Sequence, residues 1–263
     1  MDSTRKTALV SGVFFIITFV ASIGAVIAYG PVLSDPQYVV GAGADTRAFL
    51  GAFLELILII ANIGTAVVLF PILKRQNEAG ALGYVTARIV ESTFILIGIL
   101  SVLTIVTLRQ AAAGADAGSL VTVGKSLVAM HNWTFLLGPG FVVGIGNGLL
   151  LGYLMYRSGL VPRQMALFGL VGGPLVTASG IAVLFGVIPQ FNVWQGIATI
   201  PEIIWEGFLA LYLTFHGFKA SAITSSSTPR DSLDASYAPR DAQLTSAVPR
   251  SAPRRRTPLR PAL

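Results

Sequence analysis

Four residues in apolar stretches of the sequence have side chains able to bind a proton, a metal ion or a small ligand: Glu55, His131, Glu202 and Glu206. Glu202 and Glu206 are one helical turn apart and therefore share a helix face. Carboxyl groups that lie close together cannot all be ionised, so at least one would hold a proton at neutral pH. The four residues could converge in an outward-facing polar cavity. They would then be hydrogen-bonded structural groups, a site for a proton, ion or small ligand, or a metal-dependent hydrolase site, although their spacing is not that of a metal motif.

A second pair of polar residues, Arg88 and Glu91, lies three residues apart at the start of a long apolar run. A charge in the bilayer interior costs about 3 kcal/mol on insertion scales, so the two charges must pair or face other helices. We interpret them as an ion pair that fixes helix packing. A ligand or proton site is the alternative, as is an Arg88 side chain that extends to lipid phosphates. Within the predicted membrane-spanning helices, this pair lies in the cytoplasmic half, whereas Glu55, His131, Glu202 and Glu206 lie in the outer half. We therefore expect two separate polar sites.

The composition excludes several kinds of active site. The chain has no cysteine and only two histidines, so it cannot form a disulfide, a thiolate nucleophile or a three-histidine zinc site. No aspartate falls inside the apolar stretches, and no nucleotide-binding loop, haem motif or dinucleotide fingerprint occurs. The sequence therefore predicts no cofactor and no metal, and it favours a protein that is not an enzyme.

The apolar stretches predict an all-α, polytopic bundle of six transmembrane helices. Of the residues, 54% are hydrophobic and 11% are charged, whereas soluble domains carry about 25% charged residues. A membrane-spanning helix needs about 20 apolar residues. We expect a transmembrane domain over residues 1–219, with spans at about 8–29, 48–73, 83–108, 127–156, 165–188 and 195–215. The first apolar stretch could alternatively be a cleaved signal peptide, which would leave five spans.

A glycine-rich face is the clearest packing feature. Gly140, Gly144, Gly148 and Gly152 recur at every fourth residue, a spacing that lets another helix approach closely. We expect this face to pack within the bundle, in a homo-oligomer, or against another membrane protein. The Gly-Pro-Gly sequence at 138–140 predicts a kink in the same helix.

The distribution of basic residues predicts the orientation. Six spans place both termini on one side, and basic residues are more frequent in the segments on that side, which indicates that both termini are cytoplasmic and that the protein lies in the inner (plasma) membrane. The basic residues on that side are Arg5, Lys6, Lys74, Arg75, Arg157, Arg163 and Lys219, and those on the other side are Arg47, Arg109 and Lys125.

The sequence changes character from Ala220 onward. Residues 220–263 are rich in serine, threonine, proline and arginine, and such a segment cannot bury a core. We predict a disordered cytoplasmic tail whose arginines lie near anionic lipid headgroups. Nucleic acid is not an expected partner, because no folded module or aromatic platform accompanies the arginines.

Four places in the sequence form a recognisable set, of which Leu82–Tyr84 with Arg88–Glu91 is the most specific. The others are Thr4–Ala8, Leu50–Glu55 with Leu69–Lys74, and Leu154–Ser158 with Leu160–Arg163. Over about residues 4–218 the chain resembles the bacterial integral membrane proteins grouped as domain of unknown function 4386. The resemblance implies a membrane protein of six or seven helices, and it implies no activity.

The sequence leaves three classes of function open. Binding, transport or sensing of a small ligand or ion through the intramembrane carboxylates is the first. A structural or assembly role through the glycine face is the alternative. A metal-dependent intramembrane hydrolase is the third.

Overall fold

A computed structural model describes residues 3–221, and this part of the chain is all-helical with no β-strand. Six of its helices are long and apolar enough to cross a membrane, which indicates a multi-pass membrane protein. They are α1 (Ser3–Ser34), α2 (Thr46–Leu73), α3 (Glu78–Gln110), α4 (Ala117–Ser158), α5 (Arg163–Leu184) and α6 (Val193–Phe215). The predicted tail falls outside the described residues apart from positions 220 and 221.

Several helices are longer than the apolar stretches that predict them. α1 has 32 residues and α3 has 33. α4 begins at Ala117, well before the predicted span of about 127–156, because the Asp116 side chain accepts a hydrogen bond from the Ser119 backbone N–H at 2.7 Å. Such a cap satisfies one of the free N–H groups of the first turn, so the helix can start before the apolar residues do.

Consecutive helices pack as antiparallel neighbours, and α1 also packs against α6, which closes the bundle. The largest cluster of buried apolar side chains lies at the end that contains the beginning of α1 and the end of α6. At this end Arg5 donates hydrogen bonds to the backbone oxygens of Leu213 and Thr214, at 2.9 and 2.8 Å. A cation at a helix C-terminus satisfies free carbonyl groups and opposes the negative end of the helix dipole.

The opposite end is held by a clasp formed by Arg109 and the α1–α2 loop. The Arg109 side chain lies 2.6 Å from Asp45 Oδ1, donates to the backbone oxygens of Gly41 and Gly43, and stacks on the Tyr38 ring. Desolvation alone would raise the pKa of Asp45. Hydrogen bonds from Gln110 and Tyr38, and then the Arg109 cation, outweigh it and hold the pKa of that carboxyl below its usual value.

Candidate functional site

A cavity of about 410 Å³ lies between α1, α2, α3, α4 and α6. Its lining combines apolar side chains with an unusual number of polar ones for the interior of a transmembrane bundle. The polar lining residues are Thr18, Ser22, Glu55, Asn62, Arg88, Glu91, Thr199, Glu202 and Glu206.

The prediction of two separate polar sites is wrong, because one cavity contains residues of both groups. Arg88 and Glu91 line the same cavity as Glu55, Glu202 and Glu206. The reason is depth: Glu202 and Glu206 lie on either side of the middle of α6 (Val193–Phe215), and Glu91 lies within one turn of the middle of α3 (Glu78–Gln110). α6 coincides closely with its predicted span of about 195–215, so Glu202 and Glu206 lie near mid-helix in the prediction as well, and a division into halves does not separate residues so close to the middle.

The α2–α3 wall of the cavity carries a polar network of three side chains. Arg88 Nη1 lies 2.8 Å from Glu91 Oε2, and Arg88 Nη2 donates to Asn62 Oδ1 at 2.6 Å. Asn62 completes the triad by donating through Nδ2 to Glu91 Oε1 at 3.1 Å. All three side chains are buried. Both Glu91 oxygens accept a hydrogen bond and the two charges have opposite signs, so the triad offsets much of the cost of burying them. Arg88 Nε has no hydrogen-bond partner within residues 3–221.

Asn62 is missing from the candidate residues predicted from the sequence, although a signal was present. It lies seven residues after Glu55 and therefore on the same face of α2. An asparagine with a donor and an acceptor is the side chain that can bridge an arginine and a glutamate.

The α4–α6 wall is organised around Asn147. Leu136–Val142 and Gly144–Leu151 of α4 are π-helical, where a kink at Pro139 was expected. Proline lacks a backbone N–H, and the adjacent glycines tolerate the altered backbone, which is consistent with a wider helix here. Asn147 donates through Nδ2 to Glu206 Oε1, and its backbone oxygen accepts a hydrogen bond from Trp205 Nε1 at 3.0 Å.

Glu202 differs from the other carboxyl groups. Its side chain lines the cavity, the residue is only 3% exposed, and neither carboxyl oxygen has a hydrogen-bond partner within residues 3–221. Glycines make room for it, since a Cβ atom at Gly148 or Gly172 would lie 2.7 or 2.9 Å from Glu202 Oε2. An unpartnered buried carboxyl costs free energy that a ligand or a proton donor could recover.

The predicted glycine face packs mainly on α5. A Cβ atom at Gly144 would meet Thr177 and the Gly173 carbonyl, one at Gly148 would meet Gly173, and one at Gly152 would meet the Leu170 backbone. Gly140 does not share this contact, because the nearest atoms to its Cβ position belong to its own helix. Close approach of α4 and α5 brings the glycines beside Glu202. A partner protein on this face stays a prediction.

Glu55 and His131 are connected through Tyr29 at the other end of the cavity. The Tyr29 hydroxyl donates to Glu55 Oε2 at 2.9 Å, and its ring meets the His131 ring edge-on at a centroid distance of 5.6 Å. His131 is buried but does not line the cavity. Three of the four candidate residues thus line the cavity. The fourth, His131, is separated from Glu55 by the Tyr29 side chain.

The charges of the cavity do not balance. Four lining residues are glutamates and one is an arginine, so the fully ionised cavity would carry three uncompensated negative charges. Arg88 lies within electrostatic range of Glu91, Glu202 and Glu206, but among residues 3–221 it forms an ion pair with Glu91 alone. Carboxylates in a low-dielectric interior take up protons or bind cations.

The geometry does not favour a metal centre. In the described residues, no three histidine, aspartate or glutamate side chains are placed so that they could hold a metal ion. The hydrolase alternative therefore has no ligand set in this part of the chain.

Comparison with known proteins identifies a family. The sequence matches the family described as Domain of unknown function (DUF4386) over residues 10–217. No curated protein and no solved structure matches the chain. The match confirms the family resemblance inferred from the sequence, and it covers every residue that lines the cavity.

Proposed function

The chain belongs to the family Domain of unknown function (DUF4386), which carries no assigned activity, so we propose a function from the cavity itself. The protein binds a small ligand that carries a positive charge, at an intramembrane site in which the ligand exchanges for protons. The single observation that carries this proposal is Glu202, a buried residue that lines the cavity and whose carboxyl group has no hydrogen-bond partner within residues 3–221.

The charge imbalance supports a cation as the ligand. Glu91 is already neutralised by Arg88, and Asn147 can satisfy only one oxygen of Glu206. Glu55, Glu202 and Glu206 therefore hold protons in the empty cavity or counter-charges in the occupied one. Binding of a cation releases a proton from the site, which is the elementary step of both a proton-coupled transporter and a sensor.

The size of the cavity supports a small organic ligand. Sites for small molecules in proteins have volumes of about 300–1,000 Å³ and combine apolar walls with a few polar groups. A cavity of about 410 Å³ lies in the lower part of that range.

The orientation in the membrane is part of the proposal. The excess of basic residues at the end with both termini supports a cytoplasmic location for that end. The chain has no cysteine, so single cysteines can be introduced without other changes. A cysteine at Gln76 should react with a membrane-impermeant maleimide only after the cells are opened, whereas one at Ala112 should react in intact cells; the reverse pattern would contradict the orientation.

Proton release on cation binding tests the proposed function. We suggest the full chain in phosphatidylcholine nanodiscs, titrated with sodium, tetraethylammonium and triethylamine, with infrared difference spectra of the carboxyl groups. At least one probe should remove a protonated carboxyl band from the spectrum of the wild type. The same probe should cause no loss of a carboxyl band in Glu202→Gln. Glu78→Gln, an exposed change in the first turn of α3, is the matched control and should behave as the wild type. Spectra that no cation changes would contradict the proposal.

A further inference from the structure

The cavity has an apolar edge that no other part of the described chain covers. Four of its lining side chains are more than half exposed: Ile23, Val26 and Ile27 of α1, and Ile203 of α6. All four are aliphatic. In a transmembrane helix, exposed aliphatic side chains face lipid tails, so this edge of the cavity meets the hydrocarbon of the bilayer rather than water.

The packing of α1 and α6 explains the opening. A Cβ atom at Gly12 would collide with Thr214, and one at Gly207 would lie 3.8 Å from the Phe19 ring, so the two helices are in contact along this stretch. One turn further along, Ile23 and Ile203 line the cavity. Tyr29 of α1 packs on Gly51 of α2, so α1 follows α2 beyond the contact with α6. The exposed edge of the cavity therefore lies between α1 and α6.

A ligand that fits this geometry has two parts. Glu202 lines the deep side of the cavity, and its carboxyl oxygens have no hydrogen-bond partner in the described residues, whereas the edge of the cavity is aliphatic. A molecule with a basic head and an apolar body matches both. About 410 Å³ suits a single chain or a small ring system, and it is too small for a phospholipid with two acyl chains.

We propose that the ligand is a lipophilic weak base, a primary to tertiary amine with one apolar group, which enters sideways from the bilayer between α1 and α6. This inference rests on the proposed function and specifies its ligand class and route. A permanent charge is costly in the hydrocarbon, whereas an uncharged amine dissolves in it. The route therefore selects a molecule that is neutral in the lipid and charged in the site.

A proton transfer connects the two states. The Glu202 carboxylic acid gives its proton to the amine nitrogen, whose lone pair forms the new N–H bond. The products are a carboxylate and an ammonium ion, which form an ion pair in the cavity. No net charge enters the membrane, because the ammonium ion leaves its own proton in the water before the neutral amine enters the lipid, and that proton is the one released overall. The negative charge of Glu202 gains the partner that it lacks in the described residues.

Three probes with the same chain length separate the parts of the inference: N,N-dimethyldecylamine, decyltrimethylammonium and decanol. Binding to the full chain in phosphatidylcholine nanodiscs is measured by equilibrium dialysis, with empty nanodiscs to subtract partition into lipid. The amine should bind saturably, and decanol should not. Glu202→Gln should weaken amine binding by about 30-fold or more, because it removes one partner of a buried charge pair. Saturable decanol binding that Glu202→Gln leaves unchanged would overturn both the proposed function and this inference.

Other outcomes overturn the inference alone. If decyltrimethylammonium binds as tightly as the amine and depends on Glu202 to the same extent, the cavity is a cation site but its ligand is not a weak base. The route is tested by Ile203→Trp, which should slow amine association several-fold, against Ile204→Trp as the control. Ile204 is also exposed on α6 but does not line the cavity. Equal association rates in the two variants would refute lateral entry. The wild-type comparison of the three probes does not depend on whether any variant folds.

Discussion

The two polar walls of the cavity are built from similar side chains but differ in how those side chains are satisfied. On the α2–α3 wall, Arg88, Asn62 and Glu91 form a hydrogen-bonded triad. On the α6 side, Glu202 has no partner in the described part of the chain. Polar residues in a membrane are usually read as functional. We propose that the triad, whose two charges pair with each other, is suited to hold two helices together, whereas the Glu202 carboxyl group, which has no partner in the described residues, is suited to bind a ligand.

The largest effect should come from breaking the triad. Arg88→Met leaves Glu91 buried without its counter-charge and should destabilise the protein by about 3–5 kcal/mol. The double variant Arg88→Met, Glu91→Leu removes both charges and should recover most of that loss. Unfolding in mixed micelles with increasing SDS measures both. A double variant no more stable than the single one would show that the pair does more than neutralise itself.

A smaller effect is expected where α4 crosses α5 beside Glu202. A Cβ atom at Gly148 would collide with Gly173 and lie 2.7 Å from Glu202 Oε2. Gly148→Ala should therefore lower the free energy of unfolding by about 1–3 kcal/mol through overpacking. Gly140→Ala is the matched control, because its Cβ would meet no atom closer than 3.6 Å. The same unfolding assay applies. Equal stability of the two variants would mean that the crossing is looser than described.

The smallest effect on stability is expected at the Arg109–Asp45 clasp. This ion pair lies outside the cavity and is compared with the Arg88–Glu91 pair inside it. The pKa of Asp45 is lowered in the folded protein, so the clasp contributes stability above the ordinary pKa of about 4 and loses it as the pH falls through the lowered value. Hydrogen exchange of residues 41–45, corrected for intrinsic rates, should show weaker protection at pH 3 than at pH 6. Asp45→Asn should remove this difference, and a loop whose protection is the same at both pH values would contradict the account.

The sequence predicts the scaffold better than it predicts the site. Six helices follow from the lengths of the apolar stretches, and the contact between Arg88 and Glu91 follows from their spacing of three. Convergence of both groups in one cavity does not follow, because Glu91, Glu202 and Glu206 lie near the middle of their helices and tertiary packing decides which side chains meet. The start of α4 is missed as well, since this helix extends to 42 residues and begins after a polar cap at Asp116.

Two further features have no sequence signal of their own. The Gly-Pro-Gly segment indicates a break in α4, but nothing in it distinguishes a kink from the π-helical turns that position Asn147. The partner of each buried carboxyl is likewise decided by tertiary packing. Glu91 and Glu202 are the same residue type in similar apolar surroundings, and only the structure separates them.

The most direct test of the difference between the walls compares Glu91→Gln with Glu202→Gln in the same nanodiscs. Glu91→Gln removes the counter-charge of Arg88 and should lower the stability by several kcal/mol, about 3 or more. Glu202→Gln should change the stability by less than about 1 kcal/mol and weaken saturable binding of N,N-dimethyldecylamine by about 30-fold or more. The reverse pattern, a destabilised Glu202→Gln with binding intact and a stable Glu91→Gln without binding, would contradict the account.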